Sequence, residues 1–290
     1  MSKRHLNKSN SSTSSNNHRS LPHFFLPEQV FKMGGGQIAS LVELNDAATA
    51  HQLIHVLRFE QGDLVKLLDG LGNMWKAKIC HMARSVITFE LLELLSDARA
   101  KSQSQCHVIS MLPLLKGPRF EWALEKLTEL NVDRIIPFAT ARTVVKAKVK
   151  EESEGRQKRW QNIIKEAAEQ SERLLLPLLD SPVTLADMLK LEELNSSKTA
   201  LNLLLSERDL APNIVQALEP ILTNGTTLDS RSGFRIALLG GPEGGFTAEE
   251  KDLILASGFQ KVSLGSTILR GETAAILAAG IAYAIASTLD

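Results

Sequence analysis

The stretch LLGGPEGGFTAEEKDLILASGFQKVSLGSTILRGETAA, residues 238–275, decides the fold. The apolar run Ile236–Leu239 has strand length and stops at Gly240-Gly241-Pro242-Glu243-Gly244-Gly245. Leu253, Ile254 and Ala256 then fall at helical spacing. A second strand-like piece, Lys261–Leu264, meets a second glycine turn at Gly265. That turn runs through Ile268-Leu269-Arg270-Gly271-Glu272-Thr273 into an alanine-rich helix. Two strands thus each end in a glycine-bearing loop followed by a helix, and in open α/β sheets ligands bind at the carboxyl ends of strands. Phosphate is the usual guess for a glycine loop before a helix. Here the pattern is neither GxGxxG nor GxxxxGK[ST]. The first loop carries Glu243 and no Lys or Arg, so a neutral or cationic ligand held by backbone groups fits better.

GGPEGGFTAEE followed by LGSTILRGETAA closely resembles the RsmE-like family of the SPOUT superfamily, methyltransferases that act on uridine N3 of small-subunit ribosomal RNA. The resemblance implies an α/β fold: a carboxyl-terminal SPOUT trefoil-knot domain behind an amino-terminal PUA-like β-barrel. Knotted chains are rare, and periodicity alone does not suggest one. It also implies S-adenosylmethionine as cofactor and a homodimer. The first loop and its strand end would contribute Leu239, Gly240, Gly241, Pro242, Glu243 and Gly244 to the cofactor site. The second would contribute Leu264, Gly265, Ile268, Leu269, Arg270, Thr273 and Ala274. A third wall would come from Leu205 and Ser206, at the end of the strand-like run Thr199–Leu205. The family usually has threonine where this chain has Gly271, a change that would loosen the second loop but leaves Arg270 and Glu272 in place.

The 290 residues suggest one or two domains. The 33 basic and 33 acidic residues cancel, so any nucleic-acid site must be a local patch. Cys80 and Cys106 lack metal-ligand spacing and read as free thiols of a reducing compartment. No segment reaches the ~18 apolar residues of a membrane span. Together these features predict a cytoplasmic protein without a metal. Residues 1–20 are Ser/Asn-rich and basic, without an acid. They read as a disordered tail, with an organelle transit peptide as the alternative.

Residues 21–98 read as the β-rich half, with a hairpin signal at Asp69-Gly70 and a helix over Asp46–Val56 whose apolar face is Ala47, Ala50, Ile54 and Leu57. PHFFL (Pro22–Leu26) and HVLRFEQGD (His55–Asp63) resemble the family's RNA-gripping barrel, which draws attention to Arg58 and His55; His55 also reads as a hydrogen-bonded structural histidine. The polar stretch Ser96–Gln105 is a linker, and residues 103–290 form the second half. There, Cys106–Leu115 is a buried strand broken at Pro113, and Lys116–Arg119 is a turn into a helix lined by Phe120, Ala123, Leu124, Leu127 and Leu130. Asn131 is placed to end that helix in left-handed geometry.

Between Arg142 and Arg159 the charged run reads as a solvated loop. By resemblance Arg142 and Lys146 face RNA, together with Lys116. In WQNIIKEAAEQSER, Glu166, Gln170 and Arg173 share one helical side. The row reads either as a surface ladder or, by resemblance, as part of the site, with Arg173 on the RNA. The apolar last helix is expected to be buried, in the family against a second subunit.

Methylation of uracil N3 needs a proton removed from a poor nucleophile and N3 aligned behind the methyl group; alignment alone lowers a barrier by ~7–11 kcal/mol. The target base must be unpaired or flipped out. Glu272 or Glu166 is the candidate base, and Arg270, Arg142 or Arg173 would hold a phosphate or the developing charge. The resemblance implies 16S ribosomal RNA in the 30S subunit as the partner. Three rivals stand beside this reading: a non-catalytic RNA-binding module, a nucleotide-phosphate enzyme, and a methyltransferase for another base.

Overall fold

The computed structural model describes residues 21–31, 40–96, 106–143, 150–194, 200–207, 210–224 and 234–289. The tail, most of the linker, Lys146 and the segment around residues 225–233 lie outside the described residues.

The first half is a five-stranded sheet of β1 (His23–Phe25), β2 (Leu41–Asn45), β3 (Leu64–Leu68), β4 (Met74–Met82) and β5 (Val86–Ser96), in the order β1-β3-β4-β5-β2. Alternation sorts side chains to one face, so Val42 and Leu44 of β2 are buried while Leu41, Glu43 and Asn45 are exposed. The Asp69-Gly70 turn joins β3 to β4 as expected. Asp69 Oδ1 accepts from the backbone N–H of Leu71 at 2.8 Å and of Asn73 at 3.1 Å. Phe31 stacks on Trp75, with ring centroids 4.5 Å apart, over the core.

The expected helix after Asp46 is real but changes pitch. It runs as α1 (Ala47–His51) and widens into a π-turn over Gln52–Val56. The extra residue per turn shifts the inward face. Ala50 and Leu53 are fully buried, while Leu57 is exposed. His55 is exposed too, its ring 4.8 Å from that of His51, so it is not a buried structural histidine.

The second half is a seven-stranded sheet of β6 (Cys106–Pro113), β7 (Arg134–Ala139), β8 (Leu178–Leu179), β9 (Val183–Thr184), β10 (Ala200–Leu205), β11 (Phe234–Leu239) and β12 (Gln260–Val262). Every pairing in it is parallel. The order is β12-β10-β11-β6-β7-β8, with β9 beside β7. Parallel neighbours need crossovers, supplied by α2 (Pro118–Glu129), α3 (Lys150–Gln170), α4 (Leu185–Met188), α5 (Ile214–Asn224) and α6 (Ala248–Ala256), with α7 (Gly271–Ala286) closing the chain. Both faces are therefore covered. Val108 and Leu112 of β6 pack with α2, α5 and α7, while Ile109 and Met111 pack with α4 and α6.

Several boundaries differ from expectation. Lys150–Arg159 belongs to α3 and not to a solvated loop. The region Leu185–Leu194 is one short helix and a 3₁₀ turn. α5 was hidden by Pro220 in its interior. Asn131 does end α2, at φ 57°. α7 buries Ala275, Ala278, Ala279 and Ala282, yet leaves Leu277 and Tyr283 exposed. Among the described residues no helix is long and apolar enough to cross a membrane.

The two sheets meet through α3. Glu169 Oε1 accepts the Phe25 N–H of β1 at 2.8 Å, and Phe25, Leu68 and Ala168 pack together.

Candidate active site

Because β10 lies between β11 and β12, the carboxyl ends of three adjacent strands open on one place. A cavity of about 380 Å³ lies there, within the range of roughly 300–1,000 Å³ usual for small-molecule sites. From β10 come Leu204, Leu205, Ser206 and Glu207; from the first glycine loop, Gly241 to Phe246; from the second, Leu264, Gly265, Thr267 and Leu269, with Gly271 and Ala274 of α7. Arg142 and Lys251 complete the wall.

The loops are placed by local chemistry. In the first, Gly245 N–H donates to Pro242 O at 2.8 Å, and Thr247 with Glu250 forms a capping box that starts α6. Glu250 also accepts the Ala141 N–H at 2.8 Å, which seats Arg142 over the loop. Arg142 Nη1 donates to Gly244 O at 3.0 Å, and a Cβ on Gly244 would sit 3.1 Å from Arg142 Cβ. The two loops touch at Gly271, where a Cβ would stand 3.1 Å from Gly241 O. Gly271, where the family usually has threonine, thus leaves room for the first loop's carbonyl, which a Cβ would crowd.

Of the expected cofactor residues, Leu205, Ser206, Gly241, Pro242, Glu243, Gly244, Leu264, Gly265, Leu269 and Ala274 line the cavity. Leu239, Gly240, Ile268, Arg270 and Thr273 stand behind or beside it: Leu239 is fully buried in the sheet and Ile268 is 60% exposed. Arg270 is exposed at the N-cap of α7. Arg142, expected on RNA, is a cavity residue. Lys251 was missed because one lysine on an acidic helix face carries no signal.

Two expectations about the Glu166–Arg173 row are corrected. α3 ends at Gln170 and the chain turns at Glu172, φ 56°, so Arg173 leaves the helical row. Arg173 is 8% exposed, and its Nε and Nη1 donate to the carbonyls of Leu175, Thr128 and Val132, so its guanidinium is largely committed to the fold. Burial lowers its pKa to about 10. Glu166 is exposed on α3 and does not line the cavity. The acid of that segment with a defined role is Glu169, whose carboxyl is pushed up by burial where it meets β1. Arg58 (φ 57°) and Lys116 are exposed.

Glu272 is 4% exposed, and its Oε2 has no hydrogen-bond partner. Its other oxygen lies 3.7 Å from Arg119 Nε. Arg119 in turn donates from Nη1 to Glu243 Oε1 at 2.8 Å. Glu243 is thus paired from outside its own loop, and with Arg142 and Lys251 present the cavity is not simply acidic. Charge alone therefore does not exclude an anionic ligand.

The RNA methyltransferase domain family matches residues 102–283, well over half of the chain. The chain belongs to this RNA methyltransferase family. Within it, the chain is 36% identical over 231 residues to ribosomal RNA small subunit methyltransferase E of Synechocystis, covering 80% of this chain and 69% of that one. The methyltransferase E structure from Neisseria gonorrhoeae, bound to S-adenosyl methionine, matches with TM-score 0.71 and 28% identity over 90% of this chain and 96% of that one. A methyltransferase from Legionella pneumophila, in complex with the same cofactor, matches at TM-score 0.74 and 30% identity over 91% and 97% of the two chains.

Proposed function

We propose that this protein is an S-adenosylmethionine-dependent ribosomal RNA methyltransferase that methylates N3 of a uridine in the small-subunit RNA. The observation that carries the reading is the three-walled cavity at the ends of β10, β11 and β12, in a chain that shares its fold with two structures holding this cofactor. The residues present fit the group. Backbone amides and carbonyls of two glycine-rich loops suit adenine edges, apolar Leu264 and Leu269 suit its faces, and Glu207, Arg142 and Lys251 suit the charged ends of a zwitterion. When bound, the cofactor supplies an electrophilic methyl on sulfur.

The close approach of Gly271 to Gly241 fits crossing loops of a trefoil knot. The five-stranded first sheet serves as a PUA-like barrel on the RNA, with the exposed Arg58 and Lys116 as phosphate contacts; Lys146, expected to join them, lies outside the described residues. A boundary near residue 21 and a break near residues 98–103 are supported by two separate sheets, the first ending at Ser96 and the second beginning at Cys106. The exposed Leu277 and Tyr283 on α7, and the exposed Trp122 on α2, a helix that packs on α7, suit burial against a second copy. Glu272, the candidate base by resemblance, has one oxygen 3.7 Å from Arg119 Nε, which supports a role exerted through that arginine.

The test pairs calorimetry with chemistry. The protein should bind S-adenosylmethionine and gain thermal stability from it, but not from ATP or NAD. It should restore a primer-extension stop at one uridine in small-subunit RNA from a strain lacking the modification. Stabilisation by ATP or NAD alone, or restoration at a base other than uridine, would overturn the reading.

A further inference from the structure

Arg119 is the second residue of α2, in the turn where the helix dipole favours an acid. A guanidinium there is locally unfavourable. The fold holds it with two carboxylates, Glu243 of the first glycine loop at 2.8 Å and Glu272 in the first turn of α7 at 3.7 Å. The Arg119 side chain nevertheless stays 44% exposed, while that of Glu272 is 5% exposed. Nη1 is used by Glu243 and Nε faces Glu272; Nη2 has no hydrogen-bond partner among the described residues. A buried carboxylate with one oxygen unpartnered is costly. Its placement under an exposed cation sets the direction of that cation instead of satisfying itself. The other arginines are less suited. Arg173 is buried on carbonyls and Arg142 is bound to the first loop; Arg270, like Arg119, is outside the cavity lining, but among the described residues no carboxylate is paired with it.

We propose that Arg119 is a catalytic residue that contacts the target base, and that Glu243 and Glu272 are its positioning residues. The proposal rests on the methyltransferase reading above. When N3 of uracil gives up its proton to water, negative charge spreads over N3 and the two flanking carbonyl oxygens. An Nη2 N–H of Arg119 donates to one of those oxygens. The N3 electron pair then forms the bond to the methyl carbon while the carbon–sulfur bond breaks, and its electron pair stays on sulfur as a neutral thioether.

The experiment uses the full chain with S-adenosylmethionine and small subunits lacking the modification. Wild type should bind the cofactor and methylate; failure here overturns the underlying reading and this proposal with it. Arg119→Ala should lower kcat by about 10²-fold, the loss typical of one preorganised donor, with cofactor Kd changed less than about threefold. Millimolar guanidinium should raise the rate of that variant and leave wild type unchanged. Because Glu272 acts through Arg119, the Arg119→Ala/Glu272→Gln double variant should be no slower than Arg119→Ala alone. Three results would overturn the proposal: near wild-type kcat in Arg119→Ala, cofactor binding that weakens in step with kcat, or additive losses in the double variant. Arg119→Lys, which keeps the charge, covers the case of a poorly folding alanine variant: it too should lose kcat while holding cofactor affinity, because an ammonium lacks the forked donors.

Discussion

Arg173 and Lys116 are both basic side chains near the expected RNA side, but the fold uses them differently. Arg173 fills the end of α2 and holds three carbonyls. Arg173→Met leaves those acceptors unpaired in a buried place, so it should cost about 3 kcal/mol in urea unfolding. It should not change the salt dependence of RNA binding. Arg58→Gln and Lys116→Gln should do the reverse: unfolding stays near wild type, while the slope of log affinity against log salt becomes shallower by about 0.7–0.9 for each. An unchanged slope in both variants would take these residues off the RNA. The glycine loops were legible because their pattern is local and rare. Arg119, Glu169 and Glu250 were not, because each is an ordinary polar residue on a helix until the fold brings a distant partner to it.

At the scale of elements, helix starts carry much of the site's precision. The Thr247–Glu250 box fixes the first turn of α6, and the same Glu250 holds Ala141 and thereby Arg142. Thr247→Ala should lower stability by about 1 kcal/mol, the usual loss of such a cap. Glu250→Ala should lose the cap and also weaken cofactor binding, because Arg142 is then released from Gly244. Equal cofactor affinity in the two variants would show that Arg142 needs no such support. The sequence marked this helix through the spacing of Leu253, Ile254 and Ala256, though not through its capping box. It did not mark the start of α3, because Lys150–Arg159 is polar on every side and its helical period first shows at Trp160. Nor did it mark the π-turn after α1, which adds a residue without any change in composition.

For the whole molecule, two halves were readable from strand spacing and glycine loops, whereas strand order and the contact between halves were not, since both depend on partners far apart in the chain. That contact includes a built-in sensitivity to pH. Glu169 is buried between α3 and β1, and burial raises its carboxyl above the usual 4.5. The folded state therefore holds this proton more tightly than the unfolded chain does. Stability should fall as pH rises from about 4.5 through the raised value and stay reduced above it. Glu169→Gln keeps an oxygen for the Phe25 N–H and removes the charge. The lost pair with Lys165, 3.9 Å away, is a partly exposed one and weighs little. The variant should thus be more stable than wild type at pH 7, and the two should converge as pH drops below 4.5. Chemical unfolding across that range measures the difference. A variant weaker than wild type at pH 7 would mean that the charged carboxylate holds the two halves together more strongly than burial opposes it.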